Sequence, residues 1–153
     1  MLLENKVAII YGGGSISGAV AEGFSREGAR IFLAGRNRAK LDKIAAAVRA
    51  QGGKIDTALV DAFDEQAVNR YVDSVAAQAG QIDISFNLIS TGDVQQPLME
   101  ISVDDFLAPI INTMRAHFIT GKAAARHMIP RGSGVILAFG GGGSQTQPGL
   151  GGF

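Results

Sequence analysis

Short apolar runs and apolar residues at helical spacing alternate along the whole chain. Val7, Ala8, Ile9 and Ile10 form the first run and predict a strand. Gly12, Gly13 and Gly14 follow at once, and then Ile16, Ala19, Val20, Gly23 and Phe24 recur at the spacing of one helical face. ARIFLA, Ala29 to Ala34, reads as a second strand. Residues 37 to 50 place Leu41, Ile44, Ala45 and Val48 on one helical face, and Gln51, Gly52 and Gly53 end that helix. Lys54 to Val60 predicts a third strand. Residues 64 to 79 repeat the helical pattern with Val68, Tyr71, Val72, Val75 and Ala79, closed by Gly80, and Ile82 to Phe86 predicts a fourth strand.

A longer loop is expected from Asn87 to Ile101. Ser102 with Asp105 three residues later resembles a capping box, and Pro109 predicts a break or restart in the helix that runs to Met128. The expected buried face of that helix is Leu107, Ile110, Ile111, Met114, Phe118 and Met128. Pro130 and Gly132 stop it, and VILAF, Val135 to Phe139, predicts a fifth strand. The remaining GGGGSQTQPGLGGF, residues 140–153, has no period and is expected to be a flexible tail.

Strands alternating with helices of this length imply βαβ units, hence a parallel sheet covered on both faces. Right-handed crossovers then give an α/β doubly wound sheet of order 3-2-1-4-5, with ligands at the carboxyl ends of the first and fourth strands. The 153 residues suit a single domain, 1–153.

Composition narrows the function. Fourteen Lys and Arg balance 14 Asp and Glu and are scattered, so a nucleic-acid partner is not expected. With no cysteine, a disulfide framework, a thiolate metal site and a cysteine nucleophile are all excluded. No apolar run approaches a membrane span, and MLLENK lacks the apolar segment of a signal peptide, so a cytoplasmic protein is expected. His117 and His127 have no acidic residue at metal-ligand spacing and read as ordinary helix residues, so no metal is expected.

Most informative is the order strand, glycine turn, helix in KVAIIYGGGSISG, residues 6 to 18. Glycine lets backbone approach an anion closely, and the free N–H groups and dipole of a helix's first turn attract a phosphate. The same glycines could instead serve tight packing of helix on sheet. After the second strand, where a carboxylate would accept the ribose hydroxyls of NAD, the chain has Gly35, Arg36, Asn37 and Arg38. A guanidinium there suits a ribose phosphate, which favours NADP over NAD; the alternative is a solvated arginine at a helix start.

These residues resemble the short-chain dehydrogenase/reductase family, specifically its amino-terminal portion, with divergent motifs. The family's TGxxxGxG reads YGGGSISG here: Gly12 and Gly18 match, Tyr11 stands for the threonine and Ile16 for the middle glycine. Asp61 in LVDAFDEQAV fits the aspartate after the third strand, and NLIS, beginning at Asn87, stands for NNAG. The resemblance implies a Rossmann-like fold and NADP or NAD held through Gly12, Gly14, Ser15, Ile16, Gly18, Arg36, Asp61 and Asn87. It also implies hydride transfer between the nicotinamide and a carbonyl or alcohol of a small molecule.

The family's acid/base tyrosine, the lysine that lowers its pKa, a serine and a helix asparagine do not carry over. MIPRGSGVILAFG, residues 128 to 140, places the serine at Gly140; the tyrosine falls on Phe153, the lysine beyond it, and the asparagine on Thr113, with Asn112 one residue off. Neither phenylalanine nor glycine can move a proton, and Ser144 would replace the serine only if its loop folded back. No catalytic residue is therefore assigned. The readings left open are an oxidoreductase domain without its usual catalytic set, a non-catalytic dinucleotide-binding or oligomer-partner protein, and an enzyme with another proton route. VILAF at a sheet edge would leave apolar backbone unpaired, which predicts either a homo-oligomer or a longer protein.

Overall fold

The structure, a computed structural model, describes residues 1–89 and 96–140. Five strands, β1 (Val7–Tyr11), β2 (Arg30–Gly35), β3 (Ile55–Leu59), β4 (Ile84–Asn87) and β5 (Val135–Ala138), alternate with α1 (Ser15–Arg26), α2 (Arg38–Ala50), α3 (Glu65–Ala79) and α4 (Val103–Met128). The strands form one parallel sheet in the order β3-β2-β1-β4-β5, as the alternation of elements predicts. The register pairs Tyr11 with Ala34 on one side and with Asn87 on the other, so the carboxyl ends of β1, β2 and β4 share one edge.

Side chains alternate across β1, and both directions lead into core. Val7, Ile9 and Tyr11 pack with Val68, Val72, Ile119 and Ala123 of α3 and α4, while Ala8 and Ile10 pack with Leu41, Ile44 and Val48 of α2. Each fully buried Ile or Leu is worth roughly 1.5–3 kcal/mol relative to exposure. Local signals set the helix starts: Asn37, Asp64 and Ser102 each accept an N–H three residues on. At the amino edge of the sheet, the buried Asp83 carboxylate accepts the Val7 N–H at 2.9 Å and faces Arg131 at 3.2 Å, fastening β1, β4 and the turn before β5 together.

Three sequence expectations change. Helix α4 runs through Pro109 without a break. The ring removes one backbone donor, and Pro109 is itself buried within the helix. The face that α4 buries is Ala116, Ile119, Thr120, Ala123, Ala124 and Met128, whereas Leu107, Ile111, Met114 and Phe118 lie exposed. Both rows have helical spacing; small side chains let the helix lie close to the sheet, and the bulky row is turned outward. The fifth strand ends at Ala138, and Val135, Ile136 and Leu137 are each more than a third exposed at the sheet's edge. The tail 141–153 and Ser144 lie outside the described residues.

Candidate functional site

The glycine turn links the carboxyl end of β1 to α1. Gly12 has φ +135°, and a Cβ there would stand 2.6 Å from Ser17 Oγ, so both the backbone and the space require glycine. Its N–H donates to Ala34 O at 2.8 Å, which locks the turn to the end of β2. Gly14 is the N-cap of α1, and no side chain caps the helix. The N–H groups that open α1 thus remain for a ligand, with the positive end of the helix dipole behind them. Beside Gly14, a Cβ would meet nothing within 4 Å. This open concavity, with uncapped donors on its wall, fits the pyrophosphate of a dinucleotide.

Ser15 and Ile16 are exposed at the first turn of α1, Ile16 at 46 %. The isoleucine side chain does not line the groove beside the turn. Gly18 is buried instead, where a Cβ would lie 3.5 Å from Ile44; its position serves the packing of α1 on α2. Arg36 follows β2 and sets its guanidinium 5.9 Å above the Phe63 ring. Asp61 follows β3, and one of its carboxylate oxygens accepts the Phe63 N–H at 3.0 Å. The fold therefore brings Gly12, Arg36, Asp61 and Asn87, which are far apart in sequence, to one edge of the sheet.

Asn87 is engaged in a different way from its neighbours. It is buried; its Nδ2 donates to Thr120 Oγ1 at 2.9 Å, and its Oδ1 accepts the Ile89 N–H at 2.9 Å. Thr120 Oγ1 donates in turn to Ala116 O at 2.8 Å. Thr120 was not singled out by sequence; its only signal is a polar residue on the row of small side chains in α4. Thr113 is half-buried on α4, and Gly140 is exposed just after β5. Phe153 lies outside the described residues.

Tyr11 ends β1 at this edge, but its side chain packs inward against α3. Tyr11 and Tyr71 meet edge to face at 6.3 Å, with both hydroxyls buried and without a partner among the described residues. Burial pushes both phenols well above their ordinary pKa, which makes neither a base near neutral pH. Burial lowers the pKa of His117. His127 does have an acidic partner: its Nε2 lies 2.7 Å from Asp73 of α3, which Arg126 also meets at 2.9 Å. Among the described residues no three metal-ligating side chains cluster, and no helix is long and apolar enough to cross a membrane.

A groove of about 650 Å³ runs between α1 and α2 from the glycine turn, lined by Gly13, Gly14, Ser15, Glu22, Lys40 and Lys43 among others.

Comparison with known proteins agrees with this geometry. Residues 12–149 match a family model described as Enoyl-(Acyl carrier protein) reductase. Gluconate 5-dehydrogenase of Gluconobacter oxydans is 39% identical over 120 residues, which is 77% of this chain and 46% of that protein. The 7alpha-hydroxysteroid dehydrogenase of Clostridium sardiniense is 30% identical over 138 residues, 88% of this chain and 53% of that one. The crystal structure of NAD+-bound xylitol dehydrogenase superposes with a TM-score of 0.83 at 32% identity, covering 90% of this chain and 54% of that chain. The chain thus spans about half the length of the relatives it matches. With the sheet order, the glycine turn and the matched stretch in agreement, the chain belongs to the short-chain dehydrogenase/reductase family of oxidoreductases.

Proposed function

We propose that this chain binds NADP(H), or with lower preference NAD(H), through Gly12, Gly14, Ser15, Ile16, Gly18, Arg36, Asp61 and Asn87. The observation that carries the reading is the uncapped start of α1 beside the fixed turn at Gly12. The NAD+ bound to the xylitol dehydrogenase of the same fold supports it. The opening N–H groups of α1 would hold the pyrophosphate, and Asp61 would bound the adenine end. Arg36, with no carboxylate beside it at the end of β2, would favour the cofactor that carries the extra ribose phosphate. Asn87 would border the crevice, held in place by its bonds to Thr120 and Ile89.

The nicotinamide, when bound, supplies or accepts a hydride, and the partner molecule is a small carbonyl compound or alcohol. The resemblance gives Gly140 and Thr113 the places of the family's serine and asparagine, so neither supplies those side chains, and the residues present would bind and orient a cofactor. The sheet edge at β5 and the outward row of α4 support assembly with a second copy.

The test follows nicotinamide fluorescence as the 153-residue chain is added to NADPH and NADH. Saturable binding without carbonyl-dependent consumption is the expected result. Consumption of NADPH by the pure chain would refute the absence of catalysis, and no binding of either nucleotide would refute the cofactor site.

A further inference from the structure

We infer that Phe63 is a positioning residue for cofactor choice: its ring carries the Arg36 guanidinium and keeps that charge open to an anion. The inference rests on the cofactor reading above and adds to it a residue with neither charge nor side-chain donor.

The Arg36 guanidinium lies 5.9 Å from the centre of the Phe63 ring, within reach of a cation–π attraction. Among the described residues no carboxylate stands within ion-pair distance of Arg36, although Asp61 and Asp64 flank Phe63 in sequence. Two other arginines show the contrast. Arg30 makes the same type of contact, 4.8 Å from Phe32, but Asp56 neutralises it at 3.0 Å. Arg38 turns to Thr57 at 3.2 Å and to Asp42 at 3.9 Å. An aromatic face orients a guanidinium without occupying the N–H donors in its plane, so the Phe63 ring leaves the fork of Arg36 to an incoming anion.

Both members of the pair are anchored through backbone. Gly35 O accepts the Val60 N–H at 3.0 Å, tying the end of β2 to the residue before Asp61. Beyond that joint, the Asp61 carboxylate accepts the Phe63 N–H at 3.0 Å and Asp61 O accepts the Asp64 N–H at 3.1 Å. Asp64 in turn caps α3 by accepting the Ala67 N–H at 3.0 Å. These bonds set where the half-buried Phe63 stands, and the arginine over it is exposed. A free, exposed arginine loses rotamer freedom when it takes up a phosphate, and a ring already beneath it reduces that loss. The gain falls only to the nucleotide that carries the extra phosphate.

Fluorescence titration of the full chain with NADPH and NADH tests the assignment. Phe63→Leu and Phe63→Met keep apolar volume and remove the π face, whereas Phe63→Tyr keeps the face; circular dichroism shows which variants fold, and either aliphatic one suffices. The aliphatic variants should weaken NADPH by about two- to fivefold and leave NADH unchanged, while Phe63→Tyr should bind both as wild type does. In Arg36→Gln, where the ring has no cation to hold, the same aliphatic substitution should no longer alter NADPH binding. Equal losses for both nucleotides, an undiminished loss in the Arg36→Gln background, or no loss at all overturn the role given to Phe63 while leaving the cofactor site intact. Wild-type protein that binds neither nucleotide overturns the cofactor reading and this inference with it.

Discussion

The Asn87 amide and the Thr120 hydroxyl meet at 2.9 Å in the interior, joining the carboxyl end of β4 to the middle of α4. Because the Asn87 oxygen accepts the Ile89 N–H as well, one side chain fixes both the helix and the backbone leaving the strand. The crevice edge at this point is a hydrogen-bonded joint.

Thr120→Val keeps the shape of the side chain and removes the acceptor, leaving the Asn87 amide buried and unpaired. Urea unfolding should show a loss of about 1–3 kcal/mol, while Thr120→Ser should stay within about 1 kcal/mol of wild type. Equal stability of the valine and serine variants would contradict the role given to this bond.

Two neighbouring glycines should respond in opposite ways. Gly12→Ala meets both a positive φ and Ser17 Oγ, so unfolding should show a cost of about 2 kcal/mol or more. Gly14→Ala has φ −85° and open space around it, so it should cost only the preference of an N-cap for glycine over alanine, about 1 kcal/mol or less. The added methyl would stand in the concavity proposed for the pyrophosphate, and NADPH affinity should fall in a nucleotide titration although the fold is intact.

Much of this architecture is visible in the residue pattern, because strands buried on both faces are written as unbroken apolar runs such as IFLA and helices as 3.6-spaced rows. Asn37, Asp64 and Ser102 mark their helix starts for the same local reason. Helix α4 is where the pattern misleads. Its row Leu107, Ile111, Met114, Phe118 is the more hydrophobic, yet the row with Ala116, Ala123 and Ala124 is buried, since closeness of approach to the sheet and not hydrophobicity decides between two apolar faces. The glycine turn was legible as the link between the first strand and the first helix. The Asn87 to Thr120 bond was not, for it joins residues 33 apart whose meeting depends on how α4 lies on the sheet.

Acid should reveal the clasp between α3 and α4. The hydrogen bond from His127, followed by the charge of Arg126, holds the Asp73 carboxyl below its ordinary value of 3.8. A group whose folded pKa is depressed contributes stability above its unfolded pKa and loses it as pH falls through the folded value. The melting temperature of wild type should therefore exceed that of Asp73→Asn at about pH 5, and the margin should shrink as the pH is taken below the carboxylate range. A margin that grows on acidification would contradict the sign.

The outward row of α4 should govern assembly. Phe118 is 68% exposed and Ile111 58%. If a second copy covers this row, Ile111→Glu with Phe118→Glu should lower the sedimentation mass to that of a monomer without loss of helix content. A wild-type chain already monomeric at high concentration would remove the basis for assembly through α4.

The strands do not share the load equally. β1 is bonded on both sides and covered on both faces, whereas among the described residues β5 pairs with β4 only and shows solvent the side chains of Val135, Ile136 and Leu137. Opening of the fold accordingly begins at that margin: the amides of β5 exchange their hydrogens for deuterium through small local excursions, while those of Ile9 and Ile10 wait for the entire sheet to come apart.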